Sequence, residues 1–249
     1  MLGRYIWHSH FGRAMRAFSE IWDSNLFQKW LMAVTGLLLV GFLIGHLSGN
    51  LLVFMGPSHI NEYAHGLRTM LHGTAIWIVR FGLLASFALH VTSAIKLSRR
   101  NRAARPQSYN TVEHRASSMA SRSMLYSGLL LLTYALYHLA HFTWGVVHSE
   151  FYAKTCTPTA ECSGAECIPD VYSMIVASFQ QPLISVAYVL AMIMVGLHLN
   201  HAIASAVQTL GVQNRRVVPV IRAVGPLLGI LVALGFSSVP LAILAGIVK

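Results

Sequence analysis

Five long apolar stretches separated by polar connections organise the chain, at about 27–55, 75–97, 119–148, 178–210 and 217–246. Each is long enough to cross a hydrocarbon core of about 30 Å, which takes roughly 20 helical residues. None shows the period-two alternation of a membrane β-barrel strand, and a spanning segment must satisfy its backbone as a helix or in a closed barrel. The pattern predicts an all-α integral membrane protein, a five-transmembrane-helix bundle forming one domain over residues 27–249. Residues 1–26 carry arginines and the aromatics Trp7, Phe11, Phe18 and Trp22, but no apolar core followed by a small-residue cleavage site. They read as an interfacial segment and not as a signal peptide.

Composition agrees with the pattern: 55% of the 249 residues are apolar and 10% charged, with a mean hydropathy of +0.58. A net charge of +10 invites a nucleic-acid reading, yet its distribution argues for topology. Arg4, Arg13, Arg16 and Lys29 precede the first stretch, Lys96 to Arg122 fill the second connection with seven basic residues, and Arg215, Arg216 and Arg222 fill the fourth. Arg68 and Lys154 are the main basic residues of the other two connections. The positive-inside rule then puts the N-terminus in the cytoplasm and the C-terminus outside. The basic loops also suit a soluble partner or anionic lipid headgroups. Cys156, Cys162 and Cys167 all fall in the third connection, on the outer side, where one disulfide and a spare thiol are expected. No CxxCH occurs, so covalent c-type haem has no support.

Histidine is where the chemistry concentrates. Of the 13 in the chain, His46 lies in the first stretch, His90 in the second, His138 and His141 in the third, and His198 and His201 in the fourth. An ionisable residue at membrane depth is a functional hypothesis by default, although one alone is often a bond between helices. At 1.5 Å of rise per residue, His46 and His138 stand roughly 25 and 24 Å above the cytoplasmic face, and His90 and His198 roughly 9 and 15 Å. Histidines therefore fall in two layers, each drawing on two helices. Two imidazoles from facing helices at one depth are what a six-coordinate, low-spin haem iron needs on its axial faces. Histidines three residues apart share nearly one helix face, so spacing leaves the choice open between His138 and His141, and between His198 and His201.

Other features sharpen this picture. Gly41, Gly45 and Gly49 recur every four residues around His46, a stripe that suits either close helix packing or a groove for something flat. All eight acids lie outside the apolar stretches, whereas cation-coupled transporters and proton pumps usually keep a carboxylate at membrane depth. Arg80 is the clear intramembrane cation; it snorkels to the interface or pairs with a haem propionate or quinone carbonyl. His59, Glu62, His65, Arg68, His72 and Trp77 gather near the outer ends of the first two stretches, suggesting a quinone site or simply a wet loop with an aromatic belt.

At these residues the chain resembles the single-chain, five-helix, di-haem cytochrome b subunits of bacterial succinate dehydrogenases and fumarate reductases. The likeness covers nearly the whole chain and rests on GHLSGNLLVF, ALHVTSAIKL, LYHLAHFTWG and GLHLNHAIASAVQTLGV, in that order. It implies two haem b groups, with His90 and His198 as axial iron ligands of the proximal haem and His46 and His138 of the distal one. It also implies menaquinone as substrate, a partner flavoprotein carrying FAD, an iron–sulfur subunit on the cytoplasmic side, and a place in respiratory complex II in the bacterial cytoplasmic membrane. A higher oligomer of the complex is compatible with it. Succinate chemistry is not expected in this chain, which has no GxGxxG, P-loop or ferredoxin cysteine set. Some menaquinol-oxidising members carry an acid in the fourth span, where this chain has Gly196 and no acid near His198. The alternatives are a di-haem cytochrome b of another quinone-linked oxidoreductase, or a haem-free anchor or transporter.

Overall fold

Ser24 opens the first long helix. Its hydroxyl accepts the Phe27 N–H at 3.1 Å, capping α1 (Asn25–Leu51), whose interior is rich in Leu, Val and Phe. The computed structural model describes residues 15–16, 19–104, 107, 122–153, 156–157, 168–212 and 214–249. A 3₁₀ turn (Leu52–Met55) extends α1 until Gly56, at φ +100°, breaks the winding and Pro57 starts α2 (Pro57–Thr69). Leu71, His72 and Gly73 then take left-handed backbone, with φ of 51°, 54° and 83°, to turn the chain into α3 (Thr74–Ala103). The chain continues through α4 (Met124–His138), a π-helical turn (Leu139–Thr143) and the short α5 (Ser149–Ala153). Two-residue strands β1 (Cys156–Thr157) and β2 (Ile168–Pro169) pair antiparallel, and α6 (Val171–Phe179), α7 (Pro182–Thr209) and α8 (Val218–Leu244) complete the order.

Among the described residues, four helices are long and apolar enough to cross a membrane: α1 with its 3₁₀ turn, α3, α7 and α8. The third expected span, 119–148, is not one α-helix. Its α-helical part ends at His138, and the Trp144 N–H then reaches the Leu139 carbonyl, five residues back, at 2.8 Å, the mark of π winding. The fourth expected span, 178–210, begins later than expected, because Gln180 and Gln181 separate α6 from α7 and Pro182 starts the helix afresh. Most of the 1–26 segment and of the second connection lies outside the described residues, as do Cys162 and Cys167 and so the expected disulfide.

Apolar side chains face outward over much of the surface. Leu38, Phe42, Ile78, Phe81 and Leu84 are among those exposed on α1 and α3, a coat that suits lipid and not water. The tightest packing is between α7 and α8, where glycines let backbones touch. A Cβ on Gly229 would stand 2.5 Å from the Gly196 carbonyl oxygen, and one on Gly225 2.6 Å from that of Asn200. The spacing of Gly225 and Gly229 is that of small residues at membrane helix contacts. Around this seam, Ala191, Met192, Val195, Leu199 and Val232 form one buried cluster. Val53, Ile60, Phe179, Tyr188, Val239 and Ile243 belong to another.

The two ends of the bundle differ. At one, the basic end, Lys96 bonds Asp23 at 2.5 Å and Arg100 stands 3.5 Å from the same carboxylate, so the Lys96 ammonium beside it holds the Asp23 carboxyl below the usual carboxylate range. At the far end, Asp170 caps α6: it accepts the Ser173 N–H at 3.0 Å and the Ser173 hydroxyl at 2.6 Å. It also accepts the Asn61 amide of α2 at 2.8 Å. Burial pushes the Asp170 carboxyl up, but these bonds outweigh it and the net shift is downward. A folded pKa below the unfolded one stabilises at pH above the unfolded value of roughly 3.9, and that contribution is lost as pH falls through the folded value. Asp170→Ala is expected to cost about 1 kcal/mol, the usual value of an N-cap. Hydrogen exchange should then quicken in α2 and α6 and nowhere else; uniform exchange across the bundle would contradict this.

Candidate functional site: two histidine pairs in a four-helix ring

Four helices form a ring. α1 packs on α3, α3 on α4, α4 on α7 and α7 on α1, while the diagonal pairs, α1 with α4 and α3 with α7, are not in extensive contact among the described residues. α8 lies outside the ring against α7 and α1 and carries no histidine. Each ring helix supplies one residue of the expected set, His46 and His138 on one diagonal and His90 and His198 on the other. His46 of α1 meets His138, the last residue of α4, with ring centroids 5.9 Å apart at 80°. His90 of α3 and His198 of α7 occupy the other diagonal, anchored to α1 and α4 respectively.

The pairs occupy two levels. His90 lies beside the start of α1, its Nδ1 3.1 Å from the Met32 carbonyl and 3.4 Å from the Thr35 hydroxyl. His198 lies beside the start of α4, its Nδ1 3.0 Å from the Ser127 hydroxyl. From Thr35 to His46, and from Ser127 to His138, the chain climbs 11 residues in each helix, or roughly 16 Å of rise. Two independent helices thus set the same separation between the layers.

At the basic-end pair, the hydrogen bonds choose the tautomer. The Met32 carbonyl can only accept, so His90 donates Nδ1–H to it. Ser127 donates its own proton to the Met124 carbonyl at 3.2 Å, which leaves its oxygen to accept Nδ1–H from His198. Each ring then keeps a lone pair on Nε2, the arrangement that orients metal-ligating histidines. Small residues make room beside these rings. A Cβ on Gly36 would come within 3.1 Å of His90 Cε1, and one on Gly128 within 3.6 Å of His198 Cε1.

The far-end pair is set among aromatic rings. Phe42 stacks on His46 at 5.3 Å and Phe236 lies 5.7 Å away, while Tyr134, Phe142 and Tyr188 surround His138. The Asn50 amide donates to the His46 carbonyl at 2.8 Å and stands 3.4 Å from His46 Nε2, a long and weak approach. Tyr188 stands 3.5 Å from His138 Nδ1.

The neighbouring histidines separate clearly. His141 is 1% exposed, and both its nitrogens are occupied, Nδ1 by Tyr188 and Nε2 by Ser178, each at 3.0 Å. Both His138 and His141 border Tyr188 and Phe142, and what separates them is that the His141 nitrogens are both engaged at 3.0 Å while Tyr188 stands 3.5 Å from His138 Nδ1. His201 is half-buried one turn from His198, without the Ser127 anchor.

Arg80 is exposed, its guanidinium 5.0 Å over the Trp77 ring, in keeping with the interfacial reading. His59, Glu62, His65 and His72 are exposed. The glycine stripe divides. Gly49 receives the Tyr63 ring, whereas a Cβ on Gly41 or Gly45 would meet nothing within 4 Å. Gly196 has a packing reason, since a Cβ there would stand 2.9 Å from the Gly229 carbonyl oxygen. Thr35, Asn50, Ser127 and Tyr188 are neighbours of the histidines that sequence reasoning missed, where the signal was polar residues inside apolar stretches; the Met32 backbone carbonyl carried no such signal. Set against known proteins, the chain matches no family model, no curated protein and no solved structure.

Proposed function

We propose that this chain is the di-haem cytochrome b membrane subunit of a succinate:quinone oxidoreductase. The observation that carries the reading is the His46–His138 ring contact across one diagonal of the ring, with His90 and His198 on the two helices of the other diagonal, at a level roughly 16 Å away. The residues fit the group. Two metal–nitrogen bonds of roughly 2 Å plus the imidazole radii put axial ring centroids about 6 Å apart, against 5.9 Å for His46 and His138. Two imidazoles suit a metal whose remaining ligands come from a macrocycle. When bound, two b haems would supply one-electron carriers at both levels of the bilayer. The chain's own residues do the rest: Met32, Thr35 and Ser127 hold the basic-end imidazoles in orientation, and the aromatic rings at the far end exclude water from His46 and His138.

The topology belongs to the same proposal. α4 with its π turn makes the fifth span, the basic end faces the cytoplasm of a bacterium, and the C-terminus lies outside. Docking of the iron–sulfur subunit, with its flavoprotein, falls to the basic end, and menaquinone exchanges electrons at the far one.

The bonds from His90 and His198 to neighbouring helices also favour a second reading, a haem-free anchor whose histidines tie helices together. An optical spectrum with haem quantitation of the purified, partner-bound subunit separates the two. The expected result is two low-spin b haems per chain; a folded, partner-bound chain without haem sinks the proposal.

A further inference from the structure

α2 is amphipathic, and one residue is on the wrong face. Ile60, Ala64 and Arg68 follow at intervals of four and share the covered side of the helix, while His59, Glu62 and His65 lie on the exposed side. Ile60 is 3% exposed, within the far-end core. Arg68 thus carries a permanent positive charge on the side of α2 that faces the bundle. Its Nη1 is wholly buried and has no hydrogen-bond partner.

Such a group is costly unless an acceptor meets it. The described far-end acids do not serve: Glu62 and Glu150 are exposed, and Asp170 is engaged by Asn61 and Ser173. Arg80, by contrast, has its partner in Trp77. The level is also informative. Tyr63 of α2 packs on Gly49, which stands three residues, or roughly 4.5 Å, beyond His46, and Arg68 follows Tyr63 by five residues, or roughly 7.5 Å. Counted along the two helices, Arg68 therefore lies no more than roughly 12 Å from the level of His46.

We propose, resting on the di-haem reading, that Arg68 is the counter-ion of a propionate carboxylate on the haem held by His46 and His138. A guanidinium offers two parallel N–H donors to a carboxylate, and a carboxylate at that depth needs a cation as much as the cation needs it. Arg68 is then the positioning residue of the far-end cofactor, in place of Arg80.

The test uses the purified complex, with Arg68→Gln and Arg68→Lys, read by haem stoichiometry, optical redox titration and quinone KM. In R68Q both haems are retained, and at fixed ambient potential the reduced-to-oxidised ratio of the far-end haem falls about tenfold, equivalent to 59 mV for one electron. Loss of a neighbouring positive charge disfavours uptake of the electron, so the sign is a fall. The basic-end haem is unmoved, and R68K restores most of the ratio. An unchanged ratio in R68Q overturns the proposal, and so does a change confined to quinone KM, which would assign Arg68 to the quinone. Should R68Q not assemble, the reduced-minus-oxidised infrared spectrum of R68K decides. Carboxylate bands shifted from wild type support the pairing, and identical bands overturn it. A wild-type complex without haem is a separate failure, that of the di-haem reading itself, and stoichiometry reveals it before any variant is made.

Discussion

His90→Ala or His198→Ala is expected to remove the haem at the basic end and to stop electrons from succinate at their first step in the membrane. His46→Ala or His138→Ala should remove the far-end haem and leave the other reducible by succinate. The argument is one of available lone pairs. His90 and His198 commit Nδ1 to Met32 and Ser127 and keep Nε2 for a metal. His141 has both nitrogens occupied, so His141→Ala should keep both haems. It should also cost about 1–3 kcal/mol, because the buried Tyr188 and Ser178 hydroxyls lose their partner. His201→Ala should keep both haems as well. Haem content and succinate-reduced spectra of the six variants check this. Loss of the basic-end haem in His201→Ala with retention in His198→Ala would reverse the assignment within that pair.

Gly229→Ala is expected to destabilise the bundle by about 1–3 kcal/mol, the usual cost of overpacking, and larger side chains by more. The added Cβ would lie 2.5 Å from the Gly196 carbonyl oxygen, a backbone atom that cannot rotate away, so α7 and α8 must separate. Because α7 carries His198 and Tyr188, the displacement should also loosen the basic-end haem. Gly41→Ala and Gly45→Ala are the matched controls, since a Cβ at either meets nothing within 4 Å. Thermal denaturation of the detergent-solubilised complex reads the difference. Equal melting temperatures for Gly229→Ala and Gly45→Ala would show that the close glycine seam does not hold the bundle together.

Apolar runs and their polar punctuation determined the all-helical membrane architecture before any coordinates, because a backbone in lipid has few ways to satisfy its own hydrogen bonds. The same one-dimensional information placed His46, His90, His138 and His198 on separate helices at two depths, since depth follows from a constant rise per residue. What it could not decide was rotation about the helix axis and contact between segments far apart in sequence. Nothing in the hydropathy of the third stretch revealed its π turn or that Tyr188 and Ser178 would engage both nitrogens of His141. Two glycine motifs looked alike as strings, yet Gly41 and Gly45 border open space while Gly225 and Gly229 touch the backbone of α7. A glycine's role depends on which helix comes to meet it. By position Arg80 was the clear intramembrane cation; tertiary packing left it exposed on Trp77 and instead buried Nη1 of Arg68 without a hydrogen-bond partner. Sequence determined which groups exist at which depth, and packing across the ring decided which of their atoms remain free to bind.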